Sequence, residues 1–210
     1  MIEPIVLDDI IPISFQDEVY TAIKTQVTWQ YEQATSMGSK DSNNFIQGYD
    51  VVQDNNTIDS PQFTHFVLLN GQSSPALQTI KPILYFVEKR LNWVISDVGR
   101  IKINSMTRNG PTFTKDNYNI PHVDVPGPGL LSMVYYINDS DGDTFLFNEF
   151  QNSNKVSILS LKQRVTPKKG RAVIFDSNRF HASSNPINSS SRFVVNFTFK
   201  LHEKTLATLG

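Results

Sequence analysis

The chain has 210 residues, with nineteen Lys and Arg against twenty Asp and Glu and a formal net charge of -1, so no global positive field collects phosphate backbones or anionic lipid. It contains no cysteine, which excludes disulfides, thiolate zinc sites, iron–sulfur clusters and a thiol nucleophile and leaves His and carboxylate as metal ligands. A hydrophobic content of 39% supports a sizeable core, no apolar run approaches a membrane span, and Met1 to Ile11 lacks a basic signal-peptide start, so the expectation is a soluble, cytoplasmic single domain over 1–210.

Taken in chain order, Ser14 followed by Asp17 has the form of a capping box, and Phe15, Val19, Ile23 and Val27 recur at helical spacing. This predicts an amphipathic helix ending before Trp29. Ala34 to Ser60 is rich in Ser, Asn, Asp and Gly, as expected of a long surface connection, with a short strand around Tyr49 to Val52. Ser74 as N-cap and Pro75 at the first helical position open a second helix carrying Leu77, Ile80, Leu84, Val87 and Leu91 on one face. Pro82 predicts a kink or restart within it.

From Arg100 onward the pattern changes to short β-rich runs: Arg100 to Met106, Pro121 to Val125, Leu130 to Asn138, Thr144 to Phe150, Val156 to Leu161, Ala172 to Asp176 and Arg192 to Leu201. Strands at this spacing suggest a sandwich or jelly roll. In the last run Phe193, Val195, Phe197 and Phe199 share one face, which should meet the N-terminal helices, and Arg192, Val194, Asn196 and Thr198 share the other. Arg192 and Asn196 on the interior face imply a polar interior.

His122 and Asp124, two residues apart on a strand, project from one face as a pair of ligands, and His181 offers a third. Two His and one carboxylate on one face of an octahedron leave open positions, the arrangement of non-haem Fe(II) oxygenases. Arg192 follows His181 by eleven residues; a buried guanidinium needs an anion and binds carboxylate bidentately. Asn138 to Asp143 reads as a hairpin turn with Gly142 at positive φ rather than a calcium loop. Pro126 to Gly129 reads as a constrained loop near the metal, Lys168 to Arg171 as a solvated basic turn, and His65 and His202 as non-catalytic.

Seven ordered segments carry a family resemblance: Arg100 to Asn104, Pro121 to Asp124, Ser132 to Asn138, Asp141 to Phe145, Lys169 to Phe175, Arg179 to Ala182 and Ser191 to Phe197. Over this half of the chain the sequence resembles the Fe(II)/2-oxoglutarate-dependent dioxygenases, in particular the prolyl 4-hydroxylase-like branch and its small bacterial and phage-type members. The resemblance implies a mainly β fold, a double-stranded β-helix (jelly roll, cupin-like) over 98–202, with 1–97 as helical and loop support. It implies that His122, Asp124 and His181 bind Fe(II), that Arg192 holds the distal carboxylate of 2-oxoglutarate, and that Ser132 and Tyr136 lie beside that cosubstrate. Met106 stands where relatives offer a Tyr and cannot donate a hydrogen bond, so Asn104 becomes the substitute and Met106 reads as core.

The implied reaction consumes O2 and 2-oxoglutarate, with ascorbate as an admissible accessory, and hydroxylates an unactivated C–H. A prolyl, peptidyl or free amino-acid side chain is the first expectation for a small-molecule or peptide substrate. Asp124 favours hydroxylation over halogenation, since related halogenases have a small residue there. Thr198 occupies the position of a second Arg in alkylation-repair demethylases, which argues against a nucleic-acid substrate. A metal- or sugar-binding jelly roll without turnover and a nucleic-acid hydroxylase or demethylase are the alternatives. Substrate-side residues are expected in loops such as Lys40 to Gln47 and Thr112 to Tyr118.

Overall fold

The computed structural model describes residues 2–35, 51–110, 112–125, 127–151 and 157–209. The elements in order are β1 (Ile5–Leu7), α1 (Ile13–Thr25), β2 (Gln30–Glu32), β3 (Val51–Val52), β4 (Gln62–Leu69), β5 (Gln72–Ser73), α2 (Leu77–Ile80), α3 (Pro82–Leu91), β6 (Ile95–Thr107), β7 (Leu130–Tyr136), β8 (Thr144–Phe150), β9 (Ser157–Ile158), β10 (Leu161–Val165), β11 (Ala172–Asp176), β12 (Arg179–Ser183), β13 (Ser191–Leu201) and α4 (Glu203–Leu209). The expected loop from Lys40 to Gln47 lies outside the described residues. No helix among the described residues is long and apolar enough to cross a membrane.

The helices form where apolar side chains recur every three or four residues. In α1, Val19, Ala22 and Ile23 are buried. Its start differs from expectation: Pro12 is the N-cap and no side chain caps it. Asp17 instead pairs with Lys169 across the surface. The second helical segment restarts at Pro82, as its missing N–H requires. It ends at Asn92, whose φ of 54° is a left-handed C-cap.

The large sheet runs β1-β11-β7-β13-β6-β4-β2, with β5 on β4, all antiparallel. The small sheet is β10-β8-β12, and β3 pairs with β9 in parallel. Together the two antiparallel sheets make the mainly β double-stranded β-helix. Strand alternation sends Val195, Phe197 and Phe199 of β13 and Ile101 and Ile103 of β6 into one cluster with Val19, Ile23, Ile80 and Ile83 of the helices. Each such side chain contributes about 1.5–3 kcal/mol on burial, so this layer anchors the sheet. A second cluster, Val134, Tyr136, Leu146, Val165, Val173, Phe175 and Val194, fills one end of the space between the sheets.

Several expectations are corrected. Residues 121–125 do not form a strand; their ladder is a single antiparallel bridge, His122 to His181. The segment between β7 and β8 is no hairpin, because these strands belong to different sheets. Gly142 is absent from the positive-φ glycines. It is required for close approach instead, since a Cβ there would lie 2.5 Å from the Ser184 carbonyl oxygen. Strands β4, β10 and β12 carry pairing that the sequence pattern did not reveal.

Candidate metal centre

The inner face of the large sheet is built by register. Across β13 and β6, Arg192 faces Met106, Val194 faces Asn104, Asn196 faces Lys102 and Thr198 faces Arg100. Across β13 and β7, Val194 faces Tyr136 and Thr198 faces Ser132. Directly opposed residues share a face. One surface therefore carries Arg192, Asn196 and Thr198 together with Arg100, Lys102, Asn104, Ser132 and Tyr136.

Above it, His122 and His181 exchange backbone hydrogen bonds of 2.9 Å each way, which brings their rings to 4.5 Å between centroids. The Asp124 backbone N–H donates to Ser177 O at 3.2 Å. The ligating atoms of His122, Asp124 and His181 all lie within 4.8 Å of one another. His122 Nδ1 lies 3.2 Å from Ile120 O and His181 Nδ1 lies 3.0 Å from Arg179 O. A carbonyl only accepts, so each Nδ1 carries the proton and each Nε2 is left with its lone pair. His181 Nε2 is 3.7 Å from Asp124 Oδ2. Two bare imidazole nitrogens and a carboxylate oxygen converging on one point are a donor set suited to a divalent transition metal.

Charge distribution reinforces this. Burial, with His181 beside it, pushes the His122 imidazole down to about 3, so it stays neutral. Burial alone would raise the Asp124 carboxyl, but His181, Arg100 and His122 and the Ser132 hydrogen bond hold it well below the usual carboxylate range. Arg100 Nη2 donates to Asp124 Oδ1 at 2.5 Å and Ser132 Oγ donates to Oδ2 at 2.5 Å. Ser132 therefore stands with Asp124 and not beside Arg192. Arg100 is a site residue that the sequence reading left without a role, although the alternation of β6 places it on this face.

Arg192 lies at the buried end. Its Nε donates to Gly142 O and its Nη2 to Thr144 Oγ1, both at 2.8 Å. Tyr136 donates its hydroxyl to the same Thr144 oxygen at 2.7 Å. Burial lowers the Arg192 guanidinium from its ordinary value and raises the Tyr136 phenol to about 12. No ion pair of Arg192 exists among the described residues. Thr144, which the sequence reading missed, links the two groups. Asn104 donates to Gln62 Oε1 at 2.9 Å and so leans towards β4. Met106 is buried, with Asn119 Nδ2 and Ser183 Oγ each 3.6 Å from its sulfur, in keeping with its core reading.

The face retains unmet polar atoms. Thr64 Oγ1, Arg100 Nε, Asn104 Oδ1 and Thr198 Oγ1 are buried without a hydrogen-bond partner among the described residues. Orphaned groups in one place call for a polar occupant. Other candidates have structural partners. Asp141 accepts N–H bonds from Ile187, Asn188 and Ser189, His65 contacts Thr28 O and Ser74 Oγ, and His202 Nδ1 accepts the Lys204 N–H at the start of α4.

The model of the 2OG-Fe(II) oxygenase superfamily matches residues 110–200. No curated protein matches the chain. Among solved structures it is similar to an oxidoreductase of the 2OG-Fe(II) oxygenase family from Burkholderia pseudomallei, with 12% identity, a TM-score of 0.59 and coverage of 95% of this chain and 85% of that one. It is also similar to a prolyl hydroxylase from Trichoplax adhaerens in complex with a hypoxia inducible factor peptide fragment, with 15% identity, a TM-score of 0.54 and coverage of 99% and 87%. A third, the non-heme alpha ketoglutarate dependent epimerase SnoN from nogalamycin biosynthesis, has 9% identity, a TM-score of 0.56 and coverage of 94% and 78%. At such identities the likeness is one of fold. The sequence match spans the segment that carries the His/Asp/His cluster, and over residues 110–200 the chain is similar to the 2OG-Fe(II) oxygenase superfamily, whose members work with Fe(II) and 2-oxoglutarate.

Proposed function

We propose that this chain is a hydroxylase that acts on an unactivated C–H bond of a peptidyl or free amino-acid side chain, with proline first among them. The observation that carries the reading is an inner face with two distinct ends: an oriented His/Asp/His cluster at one and, at the other, a buried Arg192 with no carboxylate partner among the described residues. Bound Fe(II), with 2-oxoglutarate and O2, supplies the oxidising power for C–H hydroxylation, with succinate and carbon dioxide as co-products.

The chain's own residues supply the rest. In this reading His122 Nε2, His181 Nε2 and Asp124 Oδ2 hold the metal. Arg100 and Ser132 keep Asp124 ionised and fixed, while the Ile120 and Arg179 carbonyls orient the two rings. Arg192 receives the distal carboxylate of the cosubstrate, and Tyr136 and Thr144 set the plane of its fork. The apolar wall from Val134 to Val194 excludes water from that end. Asn104, whose Oδ1 is unmet, is the remaining polar contact on the cosubstrate side.

A peptide is the first substrate to test because the Trichoplax adhaerens neighbour is a prolyl hydroxylase in complex with one. Nucleic acid ranks lower: the Lys168, Lys169 and Arg171 cluster is engaged by Asp8 and Asp17. A single dioxygenase domain over 1–210 is supported by β1, β2 and β4, which extend both edges of the sheet whose centre comes from the second half.

The test is anaerobic addition of Fe(II) and 2-oxoglutarate, followed by a screen of succinate release with amino acids, proline-containing peptides and nucleosides. A weak visible charge-transfer band that His122→Ala abolishes is expected. Its absence under saturating metal and cosubstrate overturns the reading.

A further inference from the structure

Lys102 sits on the inner face of β6 between Arg100 and Asn104, opposite Asn196 of β13 and Phe66 of β4. Its Nζ lies 5.4 Å from the centroid of the Phe66 ring. No ion pair or hydrogen bond reaches it among the described residues. Asp124 is taken by Arg100 and Ser132, and Glu32, on strand β2, is exposed to solvent. Burial, with Arg100 nearby, lowers the Lys102 ammonium from its ordinary value. A desolvated ammonium with three unused donors is costly unless something anionic joins it.

The position of Lys102 says where that anion comes from. Met106, Arg192 and Val194 are buried, whereas Phe66, Arg100, Lys102, Asn104, His122, Asp124 and Asn196 are only part-buried. The face is thus closed at Arg192 and open around Lys102. Lys102 stands four residue steps along β6 from Met106, the partner of Arg192, about 13 Å of extended strand. Among the described residues on this face three cations, Arg100, Lys102 and Arg192, meet one carboxylate, Asp124. Fe(II) and the 2-oxoglutarate dianion carry equal and opposite charge, so loading leaves the excess of positive charge in place. Arg100 Nε adds a second unmet donor on the same face.

We propose that Lys102, at the open end of the site, recognises a carboxylate on the prime substrate: either the α-carboxylate of a free amino acid or an acidic side chain next to the reacting residue of a peptide. The inference rests on the oxygenase reading above. A single ammonium beside one guanidinium N–H suits a carboxylate rather than the many-donor cradle that phosphate requires.

The test uses anaerobic protein saturated with Fe(II) and 2-oxoglutarate, titrated by calorimetry with pairs of compounds that differ only in one charge. One pair is L-proline and L-prolinamide; the other is an end-blocked Pro-Glu peptide and its Pro-Gln counterpart. The wild type should prefer the acid of at least one pair by tenfold or more, and which pair responds identifies the source of the carboxylate. Lys102→Met should remove that preference and Lys102→Arg should keep most of it. Both variants should retain the charge-transfer band, with a 2-oxoglutarate midpoint within about twofold of wild type. The proposal is overturned when neither acid outbinds its amide or when Lys102→Met keeps the preference. It is also overturned when Lys102→Met weakens 2-oxoglutarate tenfold, because Lys102 then reads the cosubstrate. Loss of the band in the wild type itself would count against the underlying oxygenase reading instead.

Discussion

Arg100 grips Asp124 through Oδ1, the oxygen that does not face His181, while Oδ2 is the one 3.7 Å from the His181 ring nitrogen. The guanidinium therefore acts on the carboxylate without competing for the atom suited to a metal. Outer partners of this kind fix a ligand's orientation and are commonly worth 10- to 100-fold in metal affinity. Arg100→Met should weaken Fe(II) or Mn(II) binding by about that factor, measured by competition with a chelating dye, and Arg100→Lys should recover only part of it. Unchanged metal affinity in Arg100→Met would remove this role.

Acid should destabilise the metal-free protein through His122. Its folded value is pushed down to about 3 from an ordinary 6.5, so the unfolded chain binds a proton that the folded chain refuses. The stabilising contribution is fully present above pH 6.5 and is lost progressively as the pH falls through the window down to about 3, at up to about 1.4 kcal/mol per pH unit for one proton. Asp124, held low, acts in the same direction at the acid end. Thermal midpoints in chelator should fall steeply below about pH 6 in the wild type and less steeply in His122→Asn. Parallel curves for the two proteins would refute the assignment.

At the closed end, Arg192→Lys keeps the charge but loses the planar fork that meets Gly142 and Thr144. We expect 2-oxoglutarate affinity to drop by about 10- to 100-fold, or roughly 1.4–2.8 kcal/mol, with Mn(II) affinity within about twofold of wild type. Calorimetry with each ligand separately checks this. Equal loss of both would mean that Arg192 supports the whole interior and not the cosubstrate.

Gly142→Ala should act on the same contact from the backbone. The new methyl would meet the Ser184 carbonyl oxygen at 2.5 Å and Pro186 N at 2.9 Å, so the loop must shift and carry the Gly142 carbonyl off Arg192 Nε. Reduced thermal stability together with weaker 2-oxoglutarate binding is the expected pair of outcomes. Stability loss alone would leave the carbonyl without a part in cosubstrate binding.

On the opposite face of β13, Phe197 is buried among the helices. Phe197→Ala should cost about 3–5 kcal/mol of stability, by lost burial and the cavity left behind. The affinity for metal in the fraction that remains folded should be unchanged, because the two faces of β13 serve different layers. Denaturant unfolding and metal titration of the same sample separate the two effects.

Local rules were enough for part of this molecule. The period of two in β13 divides Phe193 to Phe199 from Arg192 to Thr198, the three- to four-residue period marks α1, and a chain without cysteine must build a metal site from imidazole and carboxylate. These readings depend on neighbours in the sequence, so they survive without coordinates. The tertiary structure alone decided which of those residues meet. His122 reaches His181 through a single bridge between segments 59 residues apart, Arg100 arrives at Asp124 from another strand, and Ser132 turns to Asp124 while Thr144 takes the place beside Arg192. No periodicity encodes these contacts, because they follow from the register of antiparallel strands and from a chain that changes sheets between β7 and β8. That Lys102 has no ion pair among the described residues became visible for the same reason: a missing partner is a property of the assembled face, and alternation along β6 gives only the side from which that charge projects.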